Sequence, residues 1–121
     1  VSAPHLEAGR AAETAAAAAL EQLGYRILRR NFRARGGELD LVALDRETLA
    51  IVEVRYRAGG RFGGGAESIT PAKRRRLALA ARLLLVREPA LARLPARFDV
   101  VEVSGPVDGL SCRLIRDAFR L

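Results

Sequence analysis

Two carboxylates stand where a plain core strand would carry apolar side chains: Asp40 in "GGELDLVALD" and Glu53 in "LAIVEVRYR". Both stretches read as short strands, joined through "DRET" at 45–48. Side chains alternate faces along a strand, so Glu38 shares a face with Asp40, and Glu53 shares one with Arg55. With two or four residues in the connecting turn, Asp40 falls opposite Glu53, and Glu38 falls opposite Arg55. A turn of odd length would put the two carboxylates on opposite faces. Facing positions lie roughly 4.5 to 5.5 Å apart at Cβ, where two bare carboxylates repel and one must take a proton unless a cation lies between them. A hard divalent cation resolves that conflict. Mg2+ and Mn2+ prefer oxygen ligands, and Mg2+ keeps several positions for water and substrate phosphate.

An ion pair competes with this reading, because an arginine such as Arg55 or Arg33 could neutralise Glu53. Apolar residues on both faces of "LAIVEV" imply a central, covered strand, so Glu53 is not expected to hang in solvent. Glu38, beside Gly36 and Gly37 at a strand start, suits plain solvation.

Two charged residues on helical stretches aim at the same place. Glu13 shares a stripe with Ala16, Ala17 and Leu20, although alanine defines a face poorly and the rim of a helix would suit Glu13 as well. Lys73 aligns with Leu77, Ala80 and Leu84, whereas Arg75 and Arg82 project elsewhere. A lysine in the first turn of a helix opposes the macrodipole, so an anion held nearby would account for it. Arg57, Arg74, Arg75 and Arg76 are candidate phosphate contacts, set against the commoner role of a charge run as a solvated helix face.

The elements that must position these residues follow from pattern. The alanine-rich stretch from about Leu6 to Leu23 predicts a first helix, ended by Gly24. "YRILRRNF" predicts a strand, and the hairpin follows. Five glycines between Ala58 and Glu67 predict a mobile surface loop. Thr70 and Pro71 then open a second helix as N-cap and first residue, running to Pro89. "RFDVVEV" and "SCRLIRD" predict the last two strands. The expected fold is α/β in the order α-β-β-β-α-β-β, within a single domain over 1–121.

Composition narrows the chemistry. Cys112 is the only cysteine and His5 the only histidine, too few parts for a cysteine cluster, a zinc site or a Ser-His-Asp triad. Any metal must be held by oxygen. The formal charge of +7 points to a polyanionic partner, since basic surface gains from releasing counterions condensed on nucleic acid. With two Tyr, four Phe and no Trp, contact is expected through backbone phosphates rather than stacked bases. No apolar run reaches the roughly 18 residues of a membrane span, so the expectation is a cytoplasmic protein without a membrane partner.

The quoted strands, together with "FGGGAESITPAKRRRL", resemble the YraN-like family of bacterial proteins. That family is similar to archaeal Holliday-junction resolvases of the PD-(D/E)XK nuclease superfamily. The resemblance runs from "GRAAETAAAAALEQLGY" to "LIRDAF", nearly the whole chain. It implies a restriction-endonuclease-like mixed sheet flanked by helices that cuts DNA, branched or single-stranded, in preference to RNA. It implies Mg2+ or Mn2+ as cofactor, Asp40 and Glu53 as ligands, the Val54 carbonyl as a third, and Glu13 as a helix-borne acid acting through water. Junction-cutting relatives act as symmetric pairs, so a homodimer is open to this chain as well. Arg55 stands where the superfamily carries a catalytic lysine. Arginine stays protonated, so it can hold a phosphate oxygen but cannot act as a base. Lys73 is then the candidate ammonium, and a nucleic-acid-binding protein that keeps the fold without cutting is the alternative.

Overall fold

The alanine-rich stretch forms helix α1 (Pro4–Gln22), and Gly24 ends it at a φ of 93°. The computed structural model describes residues 4–59, 62–65 and 68–120, with side chains of α1 from Glu7 onward. The side chain of His5 and residues 60, 61, 66 and 67 of the glycine-rich loop lie outside the described residues. Strands β1 (Arg26–Ala34), β2 (Gly37–Asp45) and β3 (Thr48–Arg57) follow, then helix α2 (Pro71–Arg87), a 3-10 turn (Leu91–Arg93), β4 (Ala96–Ser104) and β5 (Ser111–Phe119). The Thr70 hydroxyl accepts from the Lys73 N–H at 3.1 Å, capping α2 as its sequence foretells.

The strands form one mixed sheet in the order β1-β2-β3-β4-β5, with β3 and β4 parallel and every other pair antiparallel. The parallel pair demands a crossover, and α2 supplies it. The α/β order α-β-β-β-α-β-β is the one read from the sequence.

Helices cover both faces. Ala12, Ala16 and Leu20 of α1 pack on Leu41, Ala43, Val52, Val101 and Val103. Leu77, Ala80 and Leu84 of α2 pack on Val42, Leu49, Ile51 and Val100. Strand β3 is buried from Leu49 to Glu53, which explains a near-continuous apolar run rather than strict alternation. Among the described residues no helix is long and apolar enough to cross a membrane.

Part of the glycine-rich loop is fastened to β4 and to itself. The Gly63 N–H donates to the Glu102 carboxylate at 2.6 Å, and Ser68 binds back to the loop through its N–H on the Gly64 carbonyl, 2.9 Å away. A Cβ at Gly65 would fall 2.6 Å from Cγ of Glu102. Gly65 permits close approach to β4.

Candidate metal centre

The two-residue turn Arg46–Glu47 joins β2 to β3, with Asp45 paired to Thr48 and Arg46 at a φ of 57°. That even length selects the register in which Asp40 falls opposite Glu53. Ladder pairing runs only as far as Leu41 and Val52. Beyond it the Val54 N–H donates to Asp40 Oδ2 at 2.9 Å, so a side-chain carboxylate takes the place of a main-chain acceptor. Leu39 packs in the α2 cluster and Leu41 in the α1 cluster, although residues two apart on a regular strand share a face. Strand β2 is therefore irregular at Asp40, and the irregularity lets one carboxylate meet groups from both layers.

Glu53 is 4% exposed. Its Oε1 lies 3.3 Å from Nζ of Lys73, while its Oε2 is buried with no hydrogen-bond partner among the described residues. Burial and the negative charge of Asp40 push the Glu53 carboxyl up to about 7, and Lys73 only partly opposes them. Of the two charged neighbours weighed for Glu53, neither is its partner. Arg33 lies 3.9 Å from Glu38 on the exposed β1 side, and Arg55 donates through Nε to the Ser68 hydroxyl at 3.1 Å. Lys73 comes in from α2 instead. A Cβ at Gly37 would collide with the Arg76 carbonyl, so the β1–β2 turn seats directly on the start of α2 and carries Lys73 to the acid pair.

Glu13 approaches from the other layer. Its carboxyl is pushed up by burial and then by the charge of Asp40, while Asn31 and Arg30 pull the other way. Asn31 lies across from Asp40, between the pairs Arg30–Leu41 and Phe32–Leu39, at a φ of 52° that asparagine tolerates better than most residues. Its functional placement was not legible in the sequence, where it marks only the end of a strand. An asparagine inside an otherwise apolar and basic strand was the one available signal.

The remaining candidates separate. Arg74 donates from Nε to the Ile69 carbonyl at 3.2 Å and lies over the Phe119 ring, so it braces the fold. Arg75 and Arg76 are exposed on α2, and Arg57 is exposed at the end of β3. Glu38 does not face Arg55, because the β2–β3 ladder has already opened. Val54 follows Glu53 on β3 with its N–H held by Asp40.

A larger cavity of about 720 Å3 lies at the β2–β3 turn, lined by Asp45, Arg46, Arg97 and Arg116 among others, and contains none of these acids. Asp45, Arg97 and Arg116 of its lining are paired with one another. Arg97 pairs with Asp45 and Asp99, and the Tyr25 hydroxyl donates to Asp99 at 3.0 Å. Asp99 is fully buried and also accepts the Asp117 N–H at 2.9 Å, which identifies this cluster as a satisfied structural network.

The sequence pattern of the uncharacterised protein family UPF0102 matches residues 12–103. The chain is 58% identical over 113 residues to a UPF0102 protein of Xanthomonas campestris pv. campestris, covering 93% of this chain and 91% of that one. A UPF0102 protein of Symbiobacterium thermophilum is 52% identical over 115 residues, covering 92% of this chain and 94% of its own. One from Xylella fastidiosa is 50% identical over 115 residues, with 95% and 93% covered. The matched span holds Glu13, Asp40, Glu53 and Lys73, and the chain belongs to the UPF0102, or YraN-like, family.

Proposed function

We propose that this chain is a metal-dependent nuclease that cuts DNA phosphodiester bonds, with Asp40 and Glu53 holding Mg2+ or Mn2+. The observation that supports it is the Glu53 carboxylate, buried beside Asp40, with Lys73 against one oxygen and nothing against the other. A carboxylate so placed destabilises the fold unless a cation completes it. Among the described residues no three Asp, Glu, His or Cys side chains converge as a metal cage. Two carboxylates and the Val54 carbonyl suit Mg2+, which keeps water and phosphate oxygens as its other ligands.

When bound, the ion would neutralise the phosphate being cut and polarise the attacking water. Lys73, partly exposed beside Glu53, is suited to hold a phosphate oxygen and to stabilise charge as it develops there. Glu13, whose surroundings favour its protonated form, is suited to bind water beside Asp40 and to move a proton. Arg55 leaves the lysine role unfilled on β3, and Lys73 fills it from α2.

Purified protein is incubated with single-stranded, duplex and four-way branched DNA, and with RNA, in Mg2+, Mn2+ or EDTA. DNA cutting that needs the ion and is lost in Asp40→Asn is expected. If nothing is cut under any of these conditions, the nuclease reading fails, and salt-sensitive binding that survives would indicate a binding protein that keeps the fold.

A further inference from the structure

Among the described residues, Arg55 has two acidic neighbours and pairs with neither. Glu53 lies two residues away on the same strand, about 6.8 Å along it, and Glu102 occupies the register position opposite Arg55 on β4. Among the described residues, Arg55 makes its one hydrogen bond to Ser68, whose hydroxyl donates in turn to the Gly65 carbonyl at 2.8 Å. The bond occupies Nε, and among the described residues nothing bonds the two terminal nitrogens of the guanidinium. Arg57, next but one on β3, lies over the same loop, since a Cβ at Gly64 would come 3.3 Å from its Nη2. Between them is a separate cavity of about 310 Å3, lined by Val54, Arg55, Tyr56, Arg57 and Ser68.

This cavity is built rather than incidental. Glu102 is 4% exposed, and it gives one oxygen to the Gly63 N–H while the other is buried without a partner among the described residues. A fold that buries a carboxylate to fasten a glycine strap fixes Ser68, and Ser68 fixes the direction of Arg55. Two guanidinium groups facing one space form an anion site, because planar arginine forks match phosphate oxygens, and the Ser68 hydroxyl, its proton given to the Gly65 carbonyl, orients Arg55.

We infer that the Arg55–Arg57–Ser68 cavity binds a backbone phosphate adjacent to the one held at Asp40 and Glu53. It rests on the nuclease reading and refines it. Arg55 becomes a substrate-positioning group, the ammonium of Lys73 serves the cut phosphate, and Glu102 positions the strap. Arg55 stands two positions beyond Glu53, an offset of about 6.8 Å along the strand.

The test uses the whole chain with a labelled single-stranded oligonucleotide, carrying one neutral methylphosphonate at each position in turn. Wild type is expected to lose roughly tenfold in affinity at one position beside the cut, the worth of a hydrogen bond to a charged group. In Arg57→Gln and Ser68→Ala, affinity should already be lower and that same substitution should cost little more. The salt dependence of binding should also flatten by about 0.7 in slope for Arg57→Gln. Orthophosphate, added alone, should raise the melting temperature of wild type and not of Arg57→Gln. A scan with no such position, while cutting persists, overturns the cavity assignment and leaves the nuclease intact. Orthophosphate protection with a flat scan also overturns it, assigning the cavity to free phosphate. Absence of both cutting and binding in wild type is the separate failure of the nuclease reading. Melting curves of both variants establish that they fold, and Arg57→Gln, at an exposed position, decides the matter if Ser68→Ala loosens the strap.

Discussion

Replacing Glu53 by glutamine should stabilise the metal-free protein at alkaline pH. The Glu53 carboxyl is pushed from its ordinary 4.5 to about 7 by burial and by Asp40. A raised folded-state value means that the stability linked to this group is fully present below 4.5 and is lost as pH rises through about 7. Each tenfold change in proton affinity corresponds to about 1.36 kcal/mol, so holding Glu53 ionised above pH 7 costs about 3 kcal/mol relative to the unfolded chain. Glutamine keeps the shape and carries no charge. Removing one partner of a buried pair usually strands the other, but the Lys73 side chain is 32% exposed and can turn to water. Thermal melts in EDTA should therefore place Glu53→Gln roughly 10 °C above wild type at pH 8, with the gap closing toward pH 5. Saturating Mn2+ should raise wild type and leave the variant nearly unmoved. A variant no more stable than wild type at pH 8, or a gap that is the same at pH 5, would refute the account of Glu53 as a strained carboxylate.

Lys73→Met removes the ammonium beside Oε1 of Glu53, so NMR titration of the glutamate carboxyl carbons should show Glu53 titrating higher than in wild type, and cutting should be lost. An unchanged Glu53 titration would mean that Lys73 does not share its charge. Asp40→Asn should move the same titration down toward 4.5, because the second-largest cause of the shift is the Asp40 charge, while its amide oxygen can still accept the Val54 N–H. A Glu53 titration that does not fall would show that burial alone sets it. Gly65→Ala drives a methyl group to 2.6 Å from Cγ of Glu102, and denaturant unfolding should show a loss of about 1–3 kcal/mol from overpacking. A loss below about 0.5 kcal/mol would mean that the strap moves freely.

Much of the architecture was legible because local signals agreed. Thr70 and Pro71 placed the start of α2, Gly24 closed α1, and apolar runs with an intervening helix required a parallel crossover. Asp40 and Glu53 were legible as a pair because strand alternation and an even turn act over neighbouring residues. Lys73 was visible as a charge on an apolar helical stripe, but its partner was not, since helix periodicity gives a direction and no destination.

Other features had no local signature. The glycines of "FGGGAES" encode the freedom to bend equally well for a mobile loop and for a tight strap, and only the Glu102 carboxylate beneath them chooses the strap. Arg74 reads like its neighbours Arg75 and Arg76, yet the Phe119 ring of the last strand claims it for packing. Asn31 becomes part of the centre because β2 is irregular at the residue it faces.

The sequence by itself determined the register of the β2–β3 hairpin and the buried stripe of α2, for these follow from periods of 2.0 and 3.6 residues and from turn length. Tertiary structure alone decided the charge balance of the site. It brought α1 and α2 from opposite layers to one gap in the sheet, gave Lys73 rather than an arginine to Glu53, and turned Arg55 toward Ser68. Those choices depend on burial and on groups far apart in the chain, and electrostatic energy is set by distance and dielectric in space, not by separation along the sequence.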